Sequence, residues 1–222
     1  EAVEEAGGIT TVHLPPSDIA VVNAVRAAGL DTMTVAGYGW RGRNPARQES
    51  FLVTDELVNT LSLEEVGEAW LKTGNVPAVF KQQLIRRVAE IARRMHRAGI
   101  NHRDFYLAHF LMPVVAVQQR DATAPLFLID LHRSQVRHSV PRRWRVKDLG
   151  GLYFSSARFG LTRRDMLRFV REYSGLPLRE AFEQDPSLWR ACKREGEKVY
   201  RRYYEVEPRF PLQFNEHPGK DI

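Results

Sequence analysis

Between Ala78 and Ala98 the chain carries its strongest periodic signal. Phe80, Leu84, Ile85, Val88, Ile91, Ala92 and Met95 recur at three- and four-residue intervals, which lines them up as one apolar stripe on a long helix. The opposite face is strongly basic, and Gly99 supplies the stop. A stripe of that length has to lie on a core. Past the stop the elements are short and broken: a polar loop, then the apolar runs Phe110 to Val117 and Pro125 to Ile129, split by the polar segment Gln118 to Ala124. That pattern predicts a β-hairpin. From Lys147 onward helical patterns dominate, broken at Gly160, near Gly175 and Pro177, and at Pro186, and the last fifteen residues read as an irregular tail.

Upstream, Pro15 to Ala28 reads as a short amphipathic helix that starts at Ser17 and Asp18 and is closed by Gly29. Thr32 to Tyr38 and Ser50 to Thr54 are β-rich, and the Gly-, Arg- and Asn-rich Gly39 to Gln48 between them has the composition of a hairpin connection. Leu61 to Lys72 reads as a helix ended by Gly74, Asn75 and Pro77. A strand pair, a long helix, a polar loop, a hairpin and then helices make an α+β chain. The order is that of a protein-kinase-like fold entered at its first regulatory helix. It predicts a partial N-terminal lobe over residues 1–57 and a mainly helical C-terminal lobe over residues 58–222.

The bulk properties narrow the partners. With 222 residues and 43% apolar content the chain can bury an ordinary core. Its formal charge of +6, from 33 Lys plus Arg against 27 Asp plus Glu, suits phosphates or carboxylates. No RNA or DNA motif accompanies the arginines, so no nucleic-acid partner is expected. Cys192 is the single cysteine, which excludes an internal disulfide and points to a reducing compartment. No apolar run approaches the roughly 18 residues of a membrane span. The chain is therefore expected in the cytoplasm or on a membrane surface.

The chemistry sits just past the long helix. His102-Arg103-Asp104 matches the kinase catalytic-loop tripeptide in both sequence and context, where the aspartate orients the acceptor hydroxyl and takes its proton. An aspartate at a helix-to-loop turn can also be a plain cap; the signals further along the chain favour catalysis. Five residues on, where protein kinases place a metal-binding asparagine, stands His109, a nitrogen donor where magnesium prefers oxygen. A metal ligand and a structural histidine both fit it. Twenty-six positions after Asp104 the apolar strand Leu126 to Ile129 delivers Asp130, the expected main Mg2+ ligand. Asp148, near a helix start, is expected to brace the loop or to cap its helix. Only eighteen positions separate Asp130 from Asp148, with no Ala-Pro-Glu between them, which is too short for a peptide-binding platform and favours a small-molecule or glycan acceptor. Gly37-Tyr38-Gly39-Trp40-Arg41-Gly42 satisfies G-x-G-x-x-G, yet no lysine-bearing strand comes after it, the next lysine being Lys72, so it reads as a turn between strands. A phosphate loop and its strand lysine would lie before the first helix and are not found there. The expectation is either an N-terminally truncated active enzyme or a non-catalytic pseudokinase that binds without turnover.

At these residues the chain resembles the lipopolysaccharide core heptose(I) kinase family. The likeness runs through Pro45 to Gln48, Ser50 to Thr54, Met95 to Asp104, His109-Phe110-Leu111, Ile129 to Arg133, Arg143-Trp144-Arg145, Lys147-Asp148-Leu149, Leu152 to Ser155 and Gly160 to Asp165. The resemblance implies ATP-dependent phosphorylation of the first heptose of the inner core, at the cytoplasmic face of the inner membrane. It makes Asp104 the catalytic aspartate and His102 and Arg103 its structural support. Asp55, Glu56 and Leu57 become a hinge whose backbone meets adenine. Asp18 takes the place of the glutamate that pairs the phosphate lysine. Arg133, Arg137, Arg142 and Arg143 become candidates for docking an acceptor that bears Kdo carboxylates and lipid A phosphates. An acyl carrier protein is a possible partner. A Kdo kinase or another small-molecule phosphotransferase stays open as the alternative.

Overall fold

The computed structural model of the chain describes residues 3–6, 9–12, 17–42 and 49–206. Its first layer is a four-stranded antiparallel sheet of β1 (Val3–Ala6), β2 (Ile9–Val12), β3 (Val35–Arg41) and β4 (Glu49–Asp55), in the order β1-β2-β4-β3. The β1–β2 hairpin is not anticipated by the sequence: four-residue strands with no alternating apolar pattern leave no local signal. Helix α1 (Ser17–Ala27) comes next and buries Val21, Val22 and Val25. Strand β3 runs three residues further than its sequence predicts, so Gly37 and Gly39 lie within a strand and not in a turn. The strand can take Gly39 because the Phe51 ring of β4 lies where its Cβ would be, 2.7 Å away. The Pro45–Gln48 likeness falls outside the described residues, as do the Asp18 side chain and the tail beyond Val206.

After β4 the chain makes β5 (Thr60–Ser62), α2 (Leu63–Thr73) and the long α3 (Ala78–Arg97). Of the predicted stripe, Phe80, Leu84, Val88, Ile91, Ala92 and Met95 are buried and Ile85 is half-buried. Gly99 stops α3 at φ +77°. Any Cβ there would lie 1.9 Å from the Arg137 carbonyl oxygen, so the glycine is needed both for its left-handed backbone and for the close approach. That approach pairs β6 (Ile100–Asn101) with β9 (Gln135–Val136). Strand β7 (Phe110–Pro113) pairs with β5 and with β8 (Phe127–Leu128). The predicted hairpin is half right. Val114–Gln119 is a short helix, α4, because Pro113 ends the ladder and Arg120 closes the turn in the left-handed region. Four more helices complete the described chain: α5 (Arg142–Ser156), α6 (Arg163–Ser174), α7 (Leu178–Gln184) and α8 (Pro186–Tyr204).

The connection between α1 and β3 ties the two halves together. Arg94 of α3 donates to the carbonyls of Ala28 and Gly29, while Asp31 and Thr32 hydrogen-bond Leu128 of β8. Strand β8 is therefore clamped two residues before it delivers Asp130.

Candidate active site

The loop that carries Asp104 is fixed from below by one buried carboxylate. Asp148 sits in the second turn of α5, not at its start, because the helix begins at Arg142. It is fully buried and accepts from the backbone amides of His102 at 2.9 Å and Arg103 at 2.7 Å. His96 of α3 adds a third bond through Nε2 at 3.1 Å, and its Nδ1 meets the Tyr173 hydroxyl of α6 at 2.8 Å. The sequence reading missed this Asp148–His96–Tyr173 chain. Its one local hint is a histidine next to the apolar stripe of α3. In Asp148→Asn, an amide NH2 would face one of these donors. The expected result is a loss of about 2 kcal/mol, or roughly 4–8 °C in Tm by thermal unfolding. A change under about 1 °C would contradict this account of the loop.

Above that support, the Asp104 loop and the segment that carries Asp130 are stitched to each other. His102 is buried and pairs its Nε2 with the Ile129 carbonyl at 2.9 Å, while burial lowers its pKa and keeps the ring neutral. Ile129 returns an N–H to the His109 carbonyl. His109 hydrogen-bonds the Asp104 carbonyl through Nδ1 at 2.7 Å and places Nε2 3.1 Å from Asp130 Oδ2. A carbonyl can only accept, so Nδ1 carries the proton. Nε2 and the Asp130 carboxylate then face each other at a separation that a cation could bridge. Asp130 stands at φ +60°, in the left-handed region that aspartate tolerates, and its Oδ1 is held by His132 Nδ1. The Asp130 carboxylate fits a hard cation that shares its other ligands with phosphates, and the His109 nitrogen beside it is the poorer donor for such an ion. Among the described residues no three or more His, Cys, Asp or Glu side chains are placed to hold a metal ion by themselves.

The remaining predicted residues are placed less tightly. Asp55, the last residue of β4, bonds its N–H to the Thr34 carbonyl, and with Glu56 it is exposed. Leu57 offers its carbonyl to Thr60. Asp55 ends β4, and Glu56 and Leu57 begin the four-residue connection into β5. Of the four arginines, Arg133 alone reaches Asp104, with Nη1 3.0 Å from Oδ1. Arg137 pairs with Asn101 and Gln135, Arg142 with Ser187 and Asp185, and Arg143 lies over the Trp144 ring. A common arginine cluster at the Asp104 carboxylate is thus not formed. Arg103 is left-handed at φ +79° and stacks its guanidinium 4.6 Å from the Trp144 centroid. The sequence reading also passed over Glu64, buried on α2, whose Oε1 has no partner and whose pKa is raised by desolvation.

A second feature lies below the site. Leu84, Val88, Phe159, Val170 and Trp189, among others, line an apolar cavity of about 440 Å³. Lys81, paired with Asp165 at 2.9 Å, is among its few charged lining groups. Cys192 also faces it, with burial pushing the thiol up to about 12, so the group stays protonated and inert.

A strand-rich lobe joined to a helical lobe, with an aspartate on a braced loop linked through His109 to a second aspartate past a strand end, defines a kinase-like phosphotransferase. The comparisons specify the class. Residues 17–173 match the model of the lipopolysaccharide kinase (Kdo/WaaP) family, and the chain belongs to that family. Lipopolysaccharide core heptose(I) kinase WaaP of Pseudomonas aeruginosa is 44% identical over 207 residues, covering 90% of this chain and 75% of that protein. The protein of the same name from Escherichia coli is 43% identical over 182 residues, covering 82% of this chain and 68% of its own length. A solved structure, WaaP in complex with acyl carrier protein, is 39% identical with a TM-score of 0.76, and the match spans 89% of this chain and 88% of that one. The kinase-like fold expected from the sequence is the fold observed.

Proposed function

We propose that this chain transfers the γ-phosphoryl group of ATP to the first heptose of the lipopolysaccharide inner core. The observation that carries the reading is the hydrogen-bonded chain through His109, which fixes Asp104 and Asp130 relative to each other. In this reading Asp104 aligns the acceptor hydroxyl and takes up its proton. Asp130, with His109, would hold Mg2+, which supplies charge neutralisation at the β- and γ-phosphates when bound. The hinge backbone at Asp55, Glu56 and Leu57 meets adenine, residues 1–57 act as the nucleotide lobe and residues 58–222 as the acceptor lobe. Arg137, Arg142 and Arg143 serve, beyond the contacts described, as the basic face toward an anionic acceptor. The test is transfer of label from ATP to two core acceptors, one ending at Kdo and one extended by the first heptose. Label in the second alone is the expected result; label in the first would move the acceptor to Kdo.

The partner is suggested by the same relatives. We propose an acyl carrier protein at the helical lobe, with its carried chain buried in the apolar cavity, and a working position on the cytoplasmic face of the inner membrane. No helix among the described residues is long and apolar enough to cross a membrane, so attachment would be peripheral. An acylated carrier in large excess over its Kd should raise Tm, on the scale of about 2.7 kcal/mol at a hundredfold excess. The carrier without its acyl chain should do much less. Equal shifts from both forms would remove the cavity from the interaction.

A further inference from the structure

The base of the proposed reaction is covered in this structure by a side chain from the metal segment. Asp104 is 14% exposed at its side chain, and Arg133, 47% exposed, holds Oδ1 at 3.0 Å. Oδ2 is buried and has no hydrogen-bond partner. Arg133 closes the 3-10 turn Leu131–Arg133 that Asp130 opens, and the next residue, Ser134, donates its hydroxyl to the His102 carbonyl at 3.3 Å. The arginine is therefore tied through its own backbone to both the metal ligand and the catalytic loop. Meanwhile the loop itself, Asp104-Phe105-Tyr106-Leu107-Ala108-His109, contains no lysine or arginine.

Phosphoryl transfer passes through a loose transition state whose charge is spread over three equatorial oxygens, and catalysis consists largely of meeting that charge in place. A cation has to stand beside the base, where the transferred group passes. Resting on the reading of Asp104 as base, we infer that Arg133 is a catalytic residue that holds the γ-phosphoryl group against Asp104 during transfer. Its planar fork can keep one N–H on the carboxylate and give others to phosphoryl oxygens. In the step, the acceptor oxygen bonds to the γ-phosphorus and its proton passes to Asp104. The bond from that phosphorus to the bridging oxygen breaks, and the electron pair leaves with ADP. Arg133 donates hydrogen bonds throughout and moves no proton. A simple anchor for acceptor anions would have no reason to be paired with the base. Arg137 and Arg142, each engaged with partners elsewhere, lack this position.

The experiment compares wild type, Arg133→Lys and Arg133→Ala in transfer to the heptose acceptor and in the slow hydrolysis of ATP, where water replaces the acceptor. Arg133→Ala should lose about 10²–10³-fold in kcat in both reactions, with the acceptor KM within about threefold of wild type. Added guanidinium should restore part of the alanine variant's rate, and Arg133→Lys should fall between. Because the side chain is half exposed, Tm should hold, which separates the effect from misfolding. An acceptor KM that rises while kcat and hydrolysis stay put would make Arg133 an acceptor anchor and overturn the inference. Wild-type hydrolysis without transfer would remove the heptose acceptor, yet the hydrolysis comparison would still decide Arg133. Wild type inert in both would overturn the reading and this inference with it.

Discussion

Asp104→Ala is expected to lower phosphoryl transfer by about 10³-fold, within the 10²–10⁴ range of general-base contributions, with nucleotide affinity nearly unchanged. The separation of effects comes from the geometry. The Asp104 carboxylate contacts Arg133, while the loop backbone is held by Asp148 through the amides of His102 and Arg103. Removing the carboxylate therefore leaves the loop standing. His109 keeps its partner too, since it bonds the carbonyl of residue 104 and not its side chain. Side-by-side rates and nucleotide affinities for the variant and wild type decide the matter. Retained transfer would strip Asp104 of its role, and lost nucleotide affinity would show that it acts in binding.

Asp130→Asn should abolish the magnesium dependence of both nucleotide binding and transfer, and should cost about 10²–10³-fold in rate, equivalent to several kcal/mol of charge stabilisation. Asparagine accepts the left-handed backbone that position 130 adopts at φ +60°, so the turn into Leu131–Arg133 survives the change. The loss is of the charge facing His109 and His132. A magnesium titration of nucleotide affinity reads this directly. A variant that still responds to magnesium as wild type does would place the metal elsewhere.

The sequence spoke most clearly where a local pattern carried the structure. The α3 stripe, the Gly99 stop and the Asp104 and Asp130 signals each depend on residues close together in the chain. Gly99 also shows how a local reading can understate the case: a φ of +77° explains a glycine, but the Arg137 carbonyl 1.9 Å from any Cβ requires one. Where long-range packing decided, the sequence was silent or misleading. Val114 to Val117 carry three valines and read as strand, yet Pro113 and the fold around them make a helix. The pairing of Arg133 with Asp104 spans 29 positions, and the Asp148 bonds to the loop span 45 and 46. Spacing places such groups on elements but does not bring them together. Glu64 is the sharpest example, a carboxylate in an acidic first turn that looks like a surface helix start and is in fact buried. Local capping logic sees only the box that its neighbour Glu65 makes with Ser62.

In the proposed reaction this chain places phosphate on the first heptose of the core, with Asp104 as base. Fragmentation mass spectrometry of the heptose-bearing acceptor, after incubation with ATP and magnesium, tests it most directly. One added phosphoryl group on the first heptose with wild type, and none with Asp104→Ala, is the expected result. A phosphoryl group on another sugar, or an equal yield from the variant, would contradict it.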